Sequence, residues 1–235
     1  MADWAPKRFW TQTSVINEEG NWTVRLDNRP VKTPAKAPLV VPTEAMAQAI
    51  AKEWQAQGEK IDPRTMPMTR SANAAIDKVI PQMPQVVAMI AEYGTSDLLC
   101  YRAENPEGLI ERQAVAWDPL LDWAASELNA PLKVMTGVMY AAQPDESLAA
   151  LGRALAGFNA FEITAMGDLV SLSGSLVIGL AVARGLMPAS ELWDRSRIDE
   201  NWQTEQWGLD DEAVAVASLK HGDFLHAARL LTIAR

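Results

Sequence analysis

A late stretch of the sequence, residues 193–212 (WDRSRIDENWQTEQWGLDDE), holds the polar side chains best suited to chemistry or recognition. Wound as one helix at about 100° per residue, it places one set of side chains within about 60° of Glu200. That set is Trp193, Ser196, Arg197, Glu200, Gln203, Thr204 and Trp207. Ile198 and Trp202 point to the opposite side, and Gly208 follows where a left-handed helix cap requires a residue without a Cβ.

Three interpretations of this stretch remain open. The simplest is an amphipathic helix whose acidic side faces solvent and whose tryptophans lie in the core. The second is a buried or half-buried network of Arg197, Glu200 and Gln203 that offers a carboxylate to a partner, because a polar cluster between aromatic residues is typical of interface hot spots. The third is a hydrolase- or lyase-type enzyme that uses Glu200 as a general acid or base, tuned by Arg197 and by burial. The enzyme hypothesis predicts a deep pocket beside Glu200 with a second titratable group within reach.

The other residues that could do chemistry form no recognised catalytic or metal-binding motif. Cys100 is the only cysteine, and a lone cysteine is usually a small core residue. His221 and His226 lie five residues apart, which is not the spacing that places two metal ligands on one helix face. The acidic run at residues 210–212 is better explained as the charged start of a helix than as a cation site. The sequence therefore predicts neither a metal nor a cofactor.

The charge distribution argues against nucleic acid as a partner. The net charge is −9 overall; residues 1–70 hold ten Lys/Arg and eight Asp/Glu, whereas residues 71–235 hold eleven and twenty-two. The acidic second part would repel phosphate groups. The most apolar stretch, residues 169–183, is too short for a membrane span of about 20 residues, so we expect a buried core helix and no membrane insertion.

Hydrophobic periodicity predicts an α+β protein with two domains. Residues 9–41 alternate as short antiparallel strands separated by turn residues at 18–21 and 27–30. Thr43 is a predicted N-cap, and Met46, Ile50 and Trp54 form a helical stripe in which Trp54 packs the helix on the sheet. We place a small N-terminal domain of strands and a helix at residues 1–70 and an all-α bundle at residues 71–235.

Cap and stop signals predict the helices of the second domain. The predicted helices are 71–79, 84–93, 105–116, 118–128, 145–157, 160–185, 189–207, 211–220 and 223–234. The last two are separated at Gly222, and a short extended piece is expected near residues 132–135.

Several motifs occur together and in order between residues 9 and 211. They are LDNRPVKTP (26–34), VPTEA (41–45), EW (53–54), MPMTR (66–70), DLLCYR (97–102), WDP (117–119) and the pattern S-R-x-x-E-x-x-Q-x-x-x-W-G (196–208). This set resembles the assembly chaperones of the F-type ATP synthase catalytic sector that bind the α subunit, of the mitochondrial ATP synthase assembly factor 2 type.

The resemblance implies a non-catalytic chaperone with an α+β N-terminal domain and an orthogonal helical bundle. Its partner would be the unassembled α subunit, which it keeps from aggregating until β takes its place. Glu200 matches the functionally sensitive glutamate of the family, with Asp199 as an alternative, and Trp54 matches a tryptophan needed for the fold. The residues expected at the partner site are Glu200, Arg197, Gln203, Trp207 and Trp193. We expect a monomeric bacterial member in the cytoplasm, since the sequence opens with no transit peptide.

Overall fold

The computed structural model describes residues 7–137 and 139–235, and its α+β class confirms the prediction. The chain divides into two compact units. The first contains the residues up to Met83 together with 159–165 and 229–235, and the second contains residues 84–158 and 166–228. The predicted division into domains 1–70 and 71–235 stays a prediction.

A small antiparallel sheet opens the first unit, as the alternating pattern predicts. Its strands are β1 (Thr13–Glu18), β2 (Asn21–Leu26), β3 (Arg29–Pro30) and β4 (Val40–Val41). β2 pairs with each of the other three strands. The β1–β2 turn holds Glu19 at φ 54° and Gly20 at φ 87°, which is the backbone that a tight hairpin turn requires.

The first helix, α1 (Glu44–Gln55), begins where the sequence predicts because Thr43 caps it. The Thr43 hydroxyl oxygen accepts a hydrogen bond from the Met46 amide at 3.2 Å. Met46 and Ile50 are fully buried, and the helix packs against β1 and β2. Burial of this stripe stabilises the helix more than its intrinsic propensity does.

The end of α1 caps the next helix, α2 (Pro67–Ala74). The Glu53 carboxylate accepts hydrogen bonds from the amides of Met68 at 2.6 Å and Thr69 at 2.8 Å, which satisfies donors that have no partner within the helix. The adjacent Trp54 is half-buried, and its ring packs edge-on against Trp10 with centroids 5.3 Å apart. Its structural importance stays a prediction.

The rest of the chain is mainly helical. The helices are α3 (Met83–Glu92), α4 (Glu107–Glu127), α5 (Asp145–Ala154), α6 (Ala160–Ser173), α7 (Leu176–Arg184), α8 (Ala189–Ser196), α9 (Ile198–Trp207) and α10 (Asp211–Ile233). Two short strands, β5 (Tyr101–Arg102) and β6 (Met135–Thr136), pair in parallel. Shorter helical turns lie at Pro63–Thr65, Ala75–Val79, Ile80–Gln82, Tyr93–Ser96 and Leu98–Cys100.

Two pairs of predicted helices are in fact single helices. The predicted helices 105–116 and 118–128 merge into α4, which carries Pro119 in its interior. Trp117 and Leu120 on either side of the proline are fully buried, so packing outweighs the lost backbone hydrogen bond. The predicted helices 211–220 and 223–234 merge into α10, which continues through Gly222.

The predicted helix 160–185 is in fact two helices. Gly174, at φ 72°, ends α6, and the Ser175 side chain then accepts a hydrogen bond from the Ile178 amide and caps α7. The expectation of a buried core segment is otherwise confirmed, since Leu169, Val170 and all the apolar residues of α7 except the half-buried Val182 are buried. Among the described residues, none of the helices combines the length and apolar character needed to cross a lipid bilayer.

A carboxylate lies in the core of the second unit. Asp97 is fully buried, and its two oxygens accept hydrogen bonds from the amides of Leu99 and Val177, each at 3.1 Å. Burial raises the pKa of Asp97 to about 6, although hydrogen bonds from Ser175 and the backbone partly oppose this. Cys100 is buried as predicted, and burial raises the pKa of its thiol to about 12.

Candidate partner-binding site

The stretch singled out in the sequence is not one helix, so that part of the prediction is wrong. α8 ends at Ser196, and Arg197 leaves the helical region at φ −111° and ψ 17° before α9 begins. The Ser196 hydroxyl donates a hydrogen bond to the Trp193 carbonyl at 2.7 Å, a local bond that competes with helix continuation. The two tryptophans therefore do not share a helix face: Trp193 is 5% exposed and Trp207 is 81% exposed.

Gly208 also differs in detail from the prediction. Its φ of 95° is positive, as expected for a residue without a Cβ, but its ψ of 170° is extended. This conformation is accessible essentially only to glycine, and it lies outside the left-handed helical region. The chain therefore leaves α9 in an extended direction, and no left-handed turn of helix forms.

The structure does bring Arg197 and Glu200 together. Arg197 Nη1 lies 2.8 Å from Glu200 Oε1, and the Arg197 guanidinium lies over the Trp193 ring at 5.5 Å from its centroid. The Arg197 side chain is 22% exposed and the Glu200 side chain is 48% exposed, so the pair is half-buried on its arginine side. Gln203 is exposed on the next turn of the same helix. The result is a carboxylate held at the surface by an arginine.

Trp193 supports this pair from below. Its ring stacks on His221 with centroids 5.6 Å apart and packs against Phe224 at 5.5 Å. Because these aromatic rings are packed together, the guanidinium above them is restrained. Trp193 is therefore buried beneath the surface residues Arg197 and Glu200, and it positions them through its contact with Arg197.

Among the described residues, two clefts beside α9 include both Gln203 and Trp207. The smaller cleft has a volume of about 330 Å³ and continues from Glu200 to the first turns of α10, including Leu209 and Val214. The larger has a volume of about 770 Å³ and is lined by β5, the segment 103–106, α4 and α9. A side chain of a partner that binds in either cleft would therefore contact Trp207.

The larger cleft contains residues that the sequence analysis did not assign to a site. They are Arg102, Gln113, Trp202 and Glu104, and they lie beside Asp199, which the sequence offered as the alternative to Glu200. Gln113 donates a hydrogen bond to Asp199 Oδ1 at 2.6 Å, across 86 residues of sequence. No local pattern in the sequence predicts such a long-range contact.

Contacts with α4 fix the opposite side of α9. Arg112 Nη1 lies 2.7 and 2.8 Å from the two carboxylate oxygens of Glu205, and its guanidinium covers the Trp202 ring at 4.7 Å. The hydrogen bond from Arg112 lowers the pKa of Glu205. A Cβ at Gly108 would lie 3.1 Å from the Trp202 ring, so a glycine permits this close approach. These contacts leave the Glu200 side of α9 facing solvent.

The geometry distinguishes Glu200 from its alternative, Asp199. Asp199 is half-buried and accepts a hydrogen bond from Gln113, whereas Glu200 is exposed. Glu200 is therefore the better placed of the two to meet a partner. A tuned general acid needs burial, and the half-exposed, arginine-paired Glu200 has little of it. No group of three potential ligands among residues 7–137 and 139–235 is arranged to hold a metal ion.

A small sheet unit and a helical unit with an exposed polar and aromatic helix surface are typical of a protein that binds another polypeptide. The family described as ATP12 chaperone protein matches residues 7–125, and the chain belongs to that family. The crystal structure of Atp12 from Paracoccus denitrificans is 50% identical, with a TM-score of 0.94 over 97% of this chain and 98% of that one.

Two further relatives extend the likeness. The Atu1473 protein of Agrobacterium tumefaciens is 39% identical, with a TM-score of 0.94 over 98% of this chain and 87% of that one. The mitochondrial protein atp12 of Schizosaccharomyces pombe is 25% identical over an alignment of 221 residues that covers 88% of this chain and 75% of that protein. The likeness therefore extends through both units of the fold.

Proposed function

We propose that the protein is a non-catalytic assembly chaperone for the catalytic sector of F-type ATP synthase. It binds the unassembled α subunit and prevents its aggregation until β takes its place. Membership of the ATP12 chaperone family supports this role. The observation that carries it is the exposed face of α9, where Trp207 is 81% exposed beside Glu200 and Gln203.

The α9 face suits recognition for a physical reason. Large exposed aromatic side chains are unfavourable in water and are enriched at the centres of interfaces. The Arg197–Glu200 pair is already positioned on the Trp193 platform, so little side-chain entropy is lost when a partner contacts it. Gln203 adds an amide that can both donate and accept hydrogen bonds. We propose these groups as the contact with the α subunit, and that the chaperone acts as a monomer in the bacterial cytoplasm.

Reversal of one charge tests this site. We expect Glu200→Lys to weaken binding to the isolated α subunit about tenfold or more, since the new ammonium repels Arg197 and removes a carboxylate from the interface. Glu200 is exposed, so the midpoint of urea unfolding should change little. Titration calorimetry with purified α subunit measures the dissociation constant.

A matched control is Glu146→Lys, which reverses an exposed acid in the first turn of α5, as Glu200 lies in the first turn of α9. The control should bind the α subunit like the wild type. Equal binding by both variants would exclude Glu200 from the site. If the wild-type chain forms no complex with isolated α subunit, the proposed function itself is wrong.

A further inference from the structure

The α9 face is part of a longer exposed surface that continues into the next helix. We define the exposed acidic segment as residues 198–220, which comprise α9, the connection 208–210 and the first half of α10. From residue 203 to residue 220 every side chain except that of Ala217 is exposed. A helix with almost no buried face is unusual in a folded protein unless something else covers it.

The exposed acidic segment presents large apolar side chains to solvent. Trp207, Leu209 and Leu219 are 81%, 74% and 71% exposed, and Val214 and Val216 are each 46% exposed. These five residues lie within thirteen positions. A single exposed apolar residue is common in proteins, but this concentration is not. Their concentration is typical of a surface that binds another protein.

The same segment is strongly negative. Residues 198–220 contain six acids and one lysine. Glu200 and Glu205 are paired with arginines. Among the described residues, no lysine or arginine forms a salt bridge with Asp210, Asp211 or Glu212, although Arg197 and Lys220 line the same small cleft as Asp210 and Glu212. These three acids stand directly between Leu209 and Val214 in the sequence, so apolar and anionic groups share one surface.

This charge restricts what can cover the apolar groups. A second copy of the chain would bring two negative segments together, and like charges across an interface are repulsive. Phosphate groups of nucleic acid and anionic lipid headgroups are repelled for the same reason. A polypeptide segment that carries Lys or Arg beside apolar residues is complementary in both respects.

We propose that the exposed acidic segment binds a cationic, amphipathic segment of the partner polypeptide. Its Lys or Arg residues contact Asp210, Asp211 and Glu212, while its apolar residues cover Trp207 and Leu209. The inference rests on the proposed function, since it specifies the chemistry of the polypeptide that the chaperone holds. The apolar groups provide most of the affinity, and the carboxylates select the sign of charge and accelerate association.

Two synthetic peptides test the proposal with the full chain. Both carry the same helical stripe of leucines; one has Lys and Arg at its polar positions and the other has Glu. We expect the cationic peptide to bind about tenfold tighter or more, with affinity falling between about 50 mM and about 500 mM salt because screening increases. Fluorescence anisotropy of labelled peptides measures both dissociation constants.

Variants locate the binding surface. Asp210→Asn, Asp211→Asn and Glu212→Gln combined should weaken the cationic peptide about tenfold, and Leu209→Ser with Leu219→Ser should weaken it at least as much. The matched control is Asp145→Asn with Glu146→Gln, which removes exposed first-turn acids from α5 instead of α10. Circular dichroism checks that each variant keeps its helices.

Each result supports or contradicts the inference. Equal affinity for both peptides, or wild-type affinity in the α10 triple variant, would overturn it. Concentration-dependent dimers that disappear in the Leu209→Ser, Leu219→Ser variant would assign the surface to a second copy. If the cationic peptide binds but the α subunit does not, only the proposed function fails. If the α subunit binds the wild type and the triple variant equally, only this inference fails.

Discussion

The variant Trp117→Ala is expected to lower the free energy of unfolding by about 4 kcal/mol. Trp117 is completely buried in α4, and its indole Nε1 donates a hydrogen bond to the Arg195 carbonyl at 2.7 Å. The Arg102 guanidinium also lies over the ring, 5.3 Å from its centroid. Truncation to alanine therefore leaves a large cavity, an unpaired carbonyl and an arginine without its aromatic contact.

Urea unfolding followed by circular dichroism measures this loss. Trp207→Ala is the control, because it makes the same chemical change at a side chain that is 81% exposed, and it should alter stability by less than about 0.5 kcal/mol. Trp117→Phe keeps one six-membered ring but removes the pyrrole ring with its N–H donor, so a smaller loss than in the alanine variant, about 2–3 kcal/mol, is expected. Similar losses in the Trp117→Ala and Trp207→Ala variants would contradict the packing argument.

The second large effect concerns the pH dependence of stability. Burial raises the pKa of Asp97 from its ordinary value of 3.8 to about 6, so the folded state binds a proton more tightly than the unfolded state. Between these two values the folded chain holds more protons, and stability therefore falls as the pH rises. A difference of about two pH units corresponds to roughly 3 kcal/mol, present below about pH 4 and lost above about pH 6.

The comparison of wild type with Asp97→Asn isolates this contribution, since asparagine does not titrate. Between about pH 4 and about pH 7 the wild type should lose roughly 2–3 kcal/mol more than the variant. The variant should be less stable than the wild type at pH 4. In the wild type a carboxyl oxygen accepts a hydrogen bond from the Val177 amide, whereas the asparagine NH₂ group would place a second donor against that amide. A carbon-13 titration of the Asp97 carboxyl group in the wild type measures the pKa directly. Parallel pH profiles of the two chains would rule out Asp97 as the source.

Local signals in the sequence predict the first unit well. The hairpin turn, the alternating residues of β2 and the Thr43 cap each act within a few residues of where they occur, so no tertiary information is needed. Helix boundaries in the second unit depend on packing instead. Gly222 lies inside α10 whereas Gly174 ends α6, and Pro119 lies inside α4. The residue type alone does not determine which outcome occurs.

In the candidate site, too, some features follow from local sequence and others depend on tertiary packing. Arg197 and Glu200 are three residues apart, and their pairing follows from helix geometry even though α9 begins only at Ile198. The break at Arg197 has no glycine or proline to announce it, so the burial of Trp193 and the exposure of Trp207 could not be read from a helical projection. The larger cleft depends on contacts such as Gln113 with Asp199, which only the folded chain brings together.

The burial of Cys100 gives the protein an internal reporter of its own opening. Burial raises the pKa of the thiol to about 12, so it is almost entirely un-ionised at pH 7 in the closed state, and thiolate is the species that reacts with alkylating reagents. Cys100 is the sole cysteine of the chain, so any modified sulfur originates there. The rate of alkylation then follows the transient exposure of the packed centre of the second unit, without a label or a designed probe.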